Sequence, residues 1–195
     1  MAYHGNYYPN QSAASSYSQP VYPQQAGNVN LPAIFQMVDR DRNGKITAEE
    51  LQEALLNGTS QPFNPSTIKI MMNLFGQDYS GAIDYNEFAT LFLYVDNWKS
   101  TFSAYDRDRS GFIDKNELKT ALASFGYQLS DHLHDVLLRK FDRQGRGVIF
   151  FDDFIHCCVS VEKVTRAFRS RDAQGIGVIN VSFEDFLVLA LEAKV

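Results

Sequence analysis

The fold of this chain can be inferred from one segment, Asp106-Arg107-Asp108-Arg109-Ser110-Gly111-Phe112-Ile113-Asp114-Lys115-Asn116-Glu117. Side chains with oxygen atoms stand at positions 1, 3, 5 and 9 of these twelve residues, and a glutamate stands at position 12. Ca²⁺ binds about six to eight oxygen atoms in proteins, and a glutamate at position 12 can contribute both of its own. The glycine at position 6 permits a sharp turn, and the carbonyl oxygen at position 7 is a further ligand. The predicted Ca²⁺ ligands are Asp106, Asp108, Ser110, Phe112, Asp114 and Glu117.

An amphipathic apolar segment flanks this loop on each side, which predicts the helix–loop–helix unit called an EF-hand. The pattern recurs, because five segments carry a glycine at loop position 6 and an isoleucine two residues later. The five predicted loops span residues 39–50, 76–87, 106–117, 142–153 and 172–183. The second and third loops start 30 residues apart, as do the fourth and fifth, which leaves room for a single shared helix. The sequence therefore predicts an all-α fold of five tandem EF-hands, with about eight helices and short paired loop strands.

Loop one has a full set of oxygen ligands and is the second predicted Ca²⁺ site. Its predicted ligands are Asp39, Asp41, Asn43, the carbonyl of Lys45, and Glu50, with Thr47 or a water at position 9. Loop one has three ligand carboxylates, whereas loop three has four when Asp114 is counted, so we expect loop three to bind more tightly. Mg²⁺ is the competing ion, but a bidentate glutamate at position 12 favours the larger Ca²⁺.

The other three loops lack ligands at essential positions. Gly76 at position 1 of loop two has no side-chain oxygen, so we expect a structural hand that pairs with hand one. Loop four places Arg146 at position 5, where Ca²⁺ needs an oxygen atom. Loop five has Ile176 at position 5 and Phe183 at position 12, and neither can bind the ion. Loops four and five are therefore predicted to be empty.

EF-hands stabilise one another in pairs through a short sheet at loop position 8. The predicted pairs are Ile46 with Ile83 and Ile113 with Ile149. The fifth hand has no partner within the chain, and its apolar helix would be exposed. We expect it to pair with the fifth hand of another chain, in a homodimer or a heterodimer. The predicted dimer surface includes Ile179, Phe183 and Phe186.

Composition and residue spacing argue against several classes of function. The net charge is −5 and the basic residues are dispersed among acids, which argues against nucleic-acid binding. The sequence has no apolar run long enough for a transmembrane helix, and its first residues lack the basic start and apolar core of a signal peptide, so we expect neither. Cys157 and Cys158 are adjacent and point in different directions on a helix, so we expect free thiols and a cytosolic protein. The four histidines form no zinc or catalytic-triad spacing, and we expect the protein not to be an enzyme.

Residues 1–28 contain no charged side chain and are rich in Tyr, Gln, Ser and Pro. Such a segment buries too little surface to offset its chain entropy, so we predict a disordered tail followed by a folded domain over residues 29–195. The tail is either a spacer or a segment whose tyrosines bind partners or a membrane surface.

Several segments longer than an EF-hand pattern carry a family resemblance. They are Asn57-Gly58-Thr59, Pro62-Phe63-Asn64-Pro65, the run from Tyr105 to Leu118, and the run from Arg139 to Gly147. Together with five hands and an uncharged tail, residues 31–195 resemble the penta-EF-hand family, in particular the branch that contains programmed cell death protein 6 and peflin. The resemblance implies Ca²⁺ binding mainly in hands one and three, and dimerisation through hand five. Loop five departs further from a Ca²⁺ loop than in programmed cell death protein 6.

The resemblance also implies a function. It predicts a Ca²⁺-dependent adaptor that binds Pro-rich or Tyr-containing segments of partner proteins in membrane repair and vesicle trafficking. The family's peptide pocket maps onto Trp98, Phe125 and Phe183. The expected location is the cytoplasm, with recruitment to endoplasmic-reticulum exit sites, endosomes or the plasma membrane, and the nucleus as a further location. Two alternatives are a regulatory subunit of a calpain-like protease and a passive Ca²⁺ buffer.

Overall fold

The computed structural model describes residues 29–58, 60–76 and 80–193. The predicted tail, residues 1–28, lies outside the described residues, as do positions 2 to 4 of loop two. The described chain folds into eight helices and one two-stranded sheet, which confirms the predicted all-α class. The helices are α1 Leu31–Val38, α2 Ala48–Ala54, α3 Pro65–Phe75, α4 Tyr85–Tyr105, α5 Lys115–Ser124, α6 Asp131–Phe141, α7 Phe151–Arg169 and α8 Phe183–Glu192. The strands are β1 Ile46–Thr47 and β2 Ala82–Ile83.

The hands pair as the position-8 isoleucines predicted. Strands β1 and β2 are antiparallel, with Ile46 opposite Ile83. Ile113 and Ile149 form an isolated antiparallel bridge, in which the Ile113 N–H donates to the Ile149 carbonyl at 2.8 Å. All four side chains are fully buried. In the part of the chain that the structure describes, Ile179 belongs to no strand.

Two long helices hold the hands together. Helix α4 joins loop two to loop three, and α7 joins loop four to loop five, as the 30-residue spacing predicted. The two helices meet through aromatic rings in edge-to-face contact, a geometry that the ring quadrupoles favour. Trp98 and Phe102 of α4 lie 5.8 Å and 5.6 Å from Phe154 of α7, measured between ring centroids. These rings belong to one apolar core that includes residues of both helices.

Helix ends follow local signals in most places. Asn64 caps α3, because its side chain accepts a hydrogen bond from the Ser66 N–H at 2.9 Å, and Pro65 occupies the first helical position. Ser130 caps α6 in the same way. Gly126, with a φ of 89°, follows the end of α5.

The Asn57-Gly58 pair is typical of a helix end and predicts that the first exit helix ends there, but this prediction is wrong. Helix α2 ends at Ala54, because Leu55 is extended and its carbonyl accepts a hydrogen bond from the Phe63 N–H at 3.1 Å. Leu56 then forms a bridge with Pro62, and Gly58 turns with a φ of 89°. The backbone groups that would extend the helix pair across this turn instead.

Both cysteines are buried and free. Burial raises the pKa of Cys157 to about 12 and raises that of Cys158 strongly. The thiols are therefore protonated at neutral pH and pack as small apolar groups. None of the helices in the described part of the chain is both long enough and apolar enough to span a membrane.

Candidate calcium sites and an apolar groove

Loops one and three are built on the same hydrogen bonds. The carboxylate of Asp39 accepts hydrogen bonds from the N–H groups of Asn43 at 3.1 Å and Gly44 at 2.9 Å. In loop three the carboxylate of Asp106 accepts from the N–H groups of Ser110 at 2.9 Å and Gly111 at 3.0 Å. The residues at position 4 have φ angles of 59° and 57°, and the glycines have φ angles of 83° and 84°. The first aspartate thus holds the chain in the turn that surrounds the site.

The glutamate at position 12 closes each of these loops. Glu50 accepts hydrogen bonds from the N–H groups of Arg40 and Thr47, both at 2.9 Å. Glu117 accepts from the N–H groups of Arg107 at 2.8 Å and Asp114 at 3.0 Å. The hydrogen bond from the Thr47 N–H is the largest influence on Glu50 and lowers the pKa of its carboxyl group. Glu50 is therefore ionised at neutral pH and positioned over the loop.

Three carboxylates converge in each loop. Ligand oxygens of Asp39, Asp41 and Glu50 lie within 4.8 Å of one another, and so do those of Asp106, Asp108 and Glu117. The hydrogen bond from the Ser110 side chain lowers the pKa of Asp108. Three like charges this close repel one another unless a cation lies between them, and oxygen ligands suit a hard cation such as Ca²⁺.

The remaining predicted ligands lie beside these clusters. In loop one, the Asn43 side chain accepts a hydrogen bond from the Lys45 N–H at 2.8 Å and donates one to Asp41 at 2.8 Å. In loop three, the Ser110 hydroxyl donates to the Phe112 carbonyl at 3.1 Å. Asp114 caps helix α5 with one oxygen and is not in the cluster of three carboxylates. That these residues hold the ion, and that loop three binds more tightly, remain predictions.

The loops predicted to be empty form no cluster of three possible ligands in the described part of the chain. The carboxylate of Asp142 in loop four accepts a hydrogen bond from the Gly147 N–H at 2.6 Å, and that of Asp172 in loop five accepts from the Gly177 N–H at 2.8 Å. Both loops thus keep the turn of a Ca²⁺ loop. At position 12 of loop five, Phe183 is 76% exposed. Loop two contacts loop one, because the Lys45 ammonium of loop one donates a hydrogen bond to the Ser80 hydroxyl of loop two at 3.2 Å.

Reasoning from the sequence missed the part that Arg143 plays in loop four. Its guanidinium forms ion pairs with Asp152 and Asp153, both at 2.6 Å. Arginine also stands at position 2 of loops one and three, as Arg40 and Arg107, so the position alone does not distinguish this role. A signal was available at position 12, where loop four has an aspartate instead of a glutamate and a second aspartate precedes it.

The three residues predicted for the partner pocket have different surroundings. Trp98 is buried and packs edge-on against Tyr94 and Phe154. Phe125 is buried and packs edge-on against Tyr105. Phe183 is exposed. The pocket at these residues remains a prediction that the structure does not test.

A different apolar groove of about 700 Å³ lies between α1, α2 and α4, and we call it the α1–α4 groove. Its apolar lining includes Ile34, Met37, Leu55, Phe88, Phe92 and Val95. Phe63, Phe102 and Phe151 also line it. The groove also includes residues of both candidate Ca²⁺ loops, namely Arg40 and Glu50 of loop one and Asp106 and Gly111 of loop three. Met37 and Leu56 are 78% and 54% exposed, so part of the apolar lining faces solvent.

The fifth hand carries the other large apolar surface. Phe183, Phe186 and Leu191 of α8 are 76%, 56% and 63% exposed, and Ile176 and Val178 of loop five are exposed as well. Ile179 is half-buried. An exposed apolar surface of this kind is typical of a protein interface.

Comparison with known proteins relates this architecture to a family. Residues 30–93 and 96–158 each match the model of an EF-hand domain pair. The chain is 48% identical to sorcin of Schistosoma japonicum over 161 residues, and this alignment covers 83% of this chain and 94% of that protein. It is 37% identical over 179 residues to peflin of Danio rerio, of which it spans 66%. The solved structure of a homolog of programmed cell death 6 protein from Leishmania major Friedlin superposes with a TM-score of 0.74 at 32% identity, covering 85% of this chain and 94% of that one.

Proposed function

Because this chain belongs to the penta-EF-hand family and binds Ca²⁺, we propose that it is a Ca²⁺ sensor and adaptor. In this proposal hands one and three bind the ion, and the α1–α4 groove receives an apolar segment of a partner protein. The adaptor works by binding alone and carries out no catalysis.

The observation that carries the proposal is that one groove borders both candidate Ca²⁺ loops. Glu50 of loop one and Asp106 of loop three are position-12 and position-1 ligands, and both line the α1–α4 groove. A change in either loop therefore reaches the surface on which a partner would lie. In a passive buffer, by contrast, the ion sites would not need to adjoin an apolar groove.

Glu50 supplies the mechanical link between ion and groove. Its two oxygens accept hydrogen bonds from Arg40 and Thr47, and Ca²⁺ binding at position 12 draws on the same oxygens. Glu50 is also the third residue of α2, and Leu51 in that helix and Leu55 just after it line the groove. Movement of Glu50 onto the ion thus shifts one wall of the groove, as in other Ca²⁺ sensors that open an apolar surface.

The groove suits an uncharged segment that carries Pro and Tyr side chains, since its lining is mainly apolar and aromatic. Through the exposed apolar face of hand five, the protein pairs with a second copy or with another penta-EF-hand protein. We place this adaptor in the cytoplasm, in membrane trafficking and repair, with recruitment to endoplasmic-reticulum exit sites, endosomes or the plasma membrane when Ca²⁺ rises.

Calorimetric titration with Ca²⁺ in millimolar Mg²⁺ tests the ion sites. We expect two sites per chain, and we expect Glu50→Gln and Glu117→Gln each to remove one of them. Glu49→Gln is the matched control, because Glu49 is exposed and is adjacent to Glu50 in α2. Fluorescence of 8-anilinonaphthalene-1-sulfonate, a dye that brightens on apolar surfaces, should rise when Ca²⁺ is added. Two sites without a rise in dye fluorescence would leave a buffer and refute the sensor.

A further inference from the structure

Four residues of hands two and four form a polar cluster between α3 and α7, and we call it the Arg143 cluster: Asn64, Arg143, Asp152 and Asp153. The Arg143 Nη2 and Nε atoms each lie 2.6 Å from a carboxylate oxygen, the first of Asp152 and the second of Asp153. The Asn64 N–H donates to Asp152 at 2.7 Å, and the Asn64 side-chain amide donates to Asp153 at 2.8 Å. The cluster thus joins residues that are 88 positions apart in sequence.

Arg143 binds the carboxylate that a Ca²⁺ loop would offer to its ion. Asp153 is at position 12 of loop four, the position whose carboxylate closes loops one and three. Asp152 and Asp153 are 0% and 1% exposed, and burial raises the pKa of Asp152, so carboxylates here stay ionised only with a cation nearby. A planar guanidinium can donate to two carboxylates at once, which an ammonium group cannot do with the same geometry. The loop therefore contains its own cation.

The Arg143 cluster also adjoins the floor of the α1–α4 groove. Phe63 precedes Asn64 and Phe151 precedes Asp152, and both phenylalanines line the groove. Their ring centroids are 5.7 Å apart in edge-to-face contact. A second link from hand two is the Thr67 hydroxyl, which donates to the Asp152 carbonyl at 3.2 Å. Holding Asn64 against Asp152 therefore holds the two rings together.

We propose that Arg143 is an internal replacement for Ca²⁺ in hand four and a positioning residue for the partner groove. By joining hand four to hand two, it keeps the Phe63–Phe151 floor in place whether or not Ca²⁺ is bound. Ca²⁺ binding in loops one and three then moves only residues at the edge of the groove, because the Phe63–Phe151 floor is already in place. The part that concerns the groove rests on the proposed function; the part that concerns the internal cation does not.

The test compares Arg143→Gln with Arg146→Gln in the full-length protein. Arg146 is in the same loop and is exposed, so its substitution removes the same charge without touching the cluster. In EDTA we expect Arg143→Gln to lower the melting temperature by about 5–10 °C, because two buried carboxylates lose their cation. We expect its dye fluorescence without Ca²⁺ to exceed that of Arg146→Gln at least about twofold, since the groove floor loosens. Calorimetry should still find two Ca²⁺ sites.

Two further variants separate a specific role from general damage. Asp153→Asn added to Arg143→Gln removes one of the charges left unpaired, and we expect it to recover at least about half of the lost melting temperature. Arg143→Lys keeps the charge with a different geometry, and we expect its melting temperature to lie between those of the wild type and Arg143→Gln. If Arg143→Gln does not fold, Arg143→Lys is compared with Arg146→Gln, and it should still melt at the lower temperature of the two. Equal melting temperatures for Arg143→Gln and Arg146→Gln, or no recovery with Asp153→Asn, would overturn the internal cation.

The outcomes also distinguish this inference from the proposed function. If the wild type shows no Ca²⁺-dependent dye binding while Arg143→Gln still melts earlier and is rescued, the adaptor fails and the internal cation stands. If the wild type responds to Ca²⁺ but Arg143→Gln matches Arg146→Gln in Ca²⁺-free dye binding, the adaptor stands and the positioning role of Arg143 fails.

Discussion

His156 should make the stability of this protein depend on pH in mildly acidic solution. Its side chain is 8% exposed, and both ring nitrogens are buried with no hydrogen-bond partner among the residues that the structure describes. The ring packs edge-on against Phe141, with 5.0 Å between centroids. Burial, followed by the charges of Lys140 and Lys163, lowers the pKa of His156 to about 4. The folded protein therefore holds this imidazole neutral.

The direction and size of the effect follow from linkage. Below a pH of about 6.5 the unfolded chain binds a proton on this histidine, whereas the folded chain does not bind it until a pH of about 4. The contribution of the neutral ring to the free energy of unfolding is thus fully present above pH 6.5 and is lost as the pH falls toward 4. From pH 8 to pH 5, the difference between the unfolded and folded pKa values corresponds to a loss of about 2 kcal/mol in the free energy of unfolding. Screening by water at the edge of the ring reduces this to roughly 1 kcal/mol.

Urea unfolding of the wild type and of His156→Leu at pH 8 and pH 5 measures this contribution. Both proteins are studied in EDTA, because Ca²⁺ binding to carboxylates would add its own pH dependence. We expect the free energy of unfolding of the wild type to fall by roughly 1 kcal/mol more than that of His156→Leu. Equal losses in the two proteins would mean that His156 is not held neutral by its burial.

Three other substitutions test the core, a Ca²⁺ loop and the dimer. Phe154→Ala removes a fully buried ring that contacts Trp98 and Phe102, so we expect urea unfolding to show a loss of about 3–5 kcal/mol; a loss under about 1 kcal/mol would contradict this packing. Gly111→Ala places a side chain at a φ of 84° with no atom within 4 Å, so backbone strain alone should weaken one of the two Ca²⁺ sites in calorimetry, and unchanged affinity at both would contradict the loop geometry. Phe186→Glu charges the exposed face of hand five and should halve the mass found by sedimentation, whereas a wild type that is already monomeric would refute the dimer.

The sequence was enough to predict the shared helices, the pairing of the loops and two helix caps, because each depends on residues close together or on a repeated spacing. The 30-residue spacing between loops predicted the shared helices α4 and α7, since no second helix fits in that length. The position-8 isoleucines predicted both loop pairings, because every loop presents this residue at the same place. Asn64 and Ser130 act through hydrogen bonds to residues two or three positions away, so their capping roles could also be read from the chain.

The prediction for the end of α2 failed where a contact across a turn competed with a local signal. Asn57-Gly58 is a common helix terminator, but Leu55 and Leu56 leave the helix earlier to pair with Phe63 and Pro62. The pairing depends on a turn of several residues and on the burial of Phe63, which is 1% exposed. Neither of these is visible in the helical pattern.

The sequence by itself determined which loops have oxygen ligands for Ca²⁺, because those ligands come from one run of twelve residues. Only the tertiary structure decided what surrounds the loops. It placed Glu50 and Asp106 on one groove, although they are far apart in the chain. It also paired Arg143 with the buried Asp152 and Asp153, whereas Arg40 at the same position of loop one pairs with the exposed Glu53. The groove depends on how α1, α2 and α4 lie together, and the Arg143 cluster depends on how α3 packs against α7. A pattern within one loop holds no information about either packing.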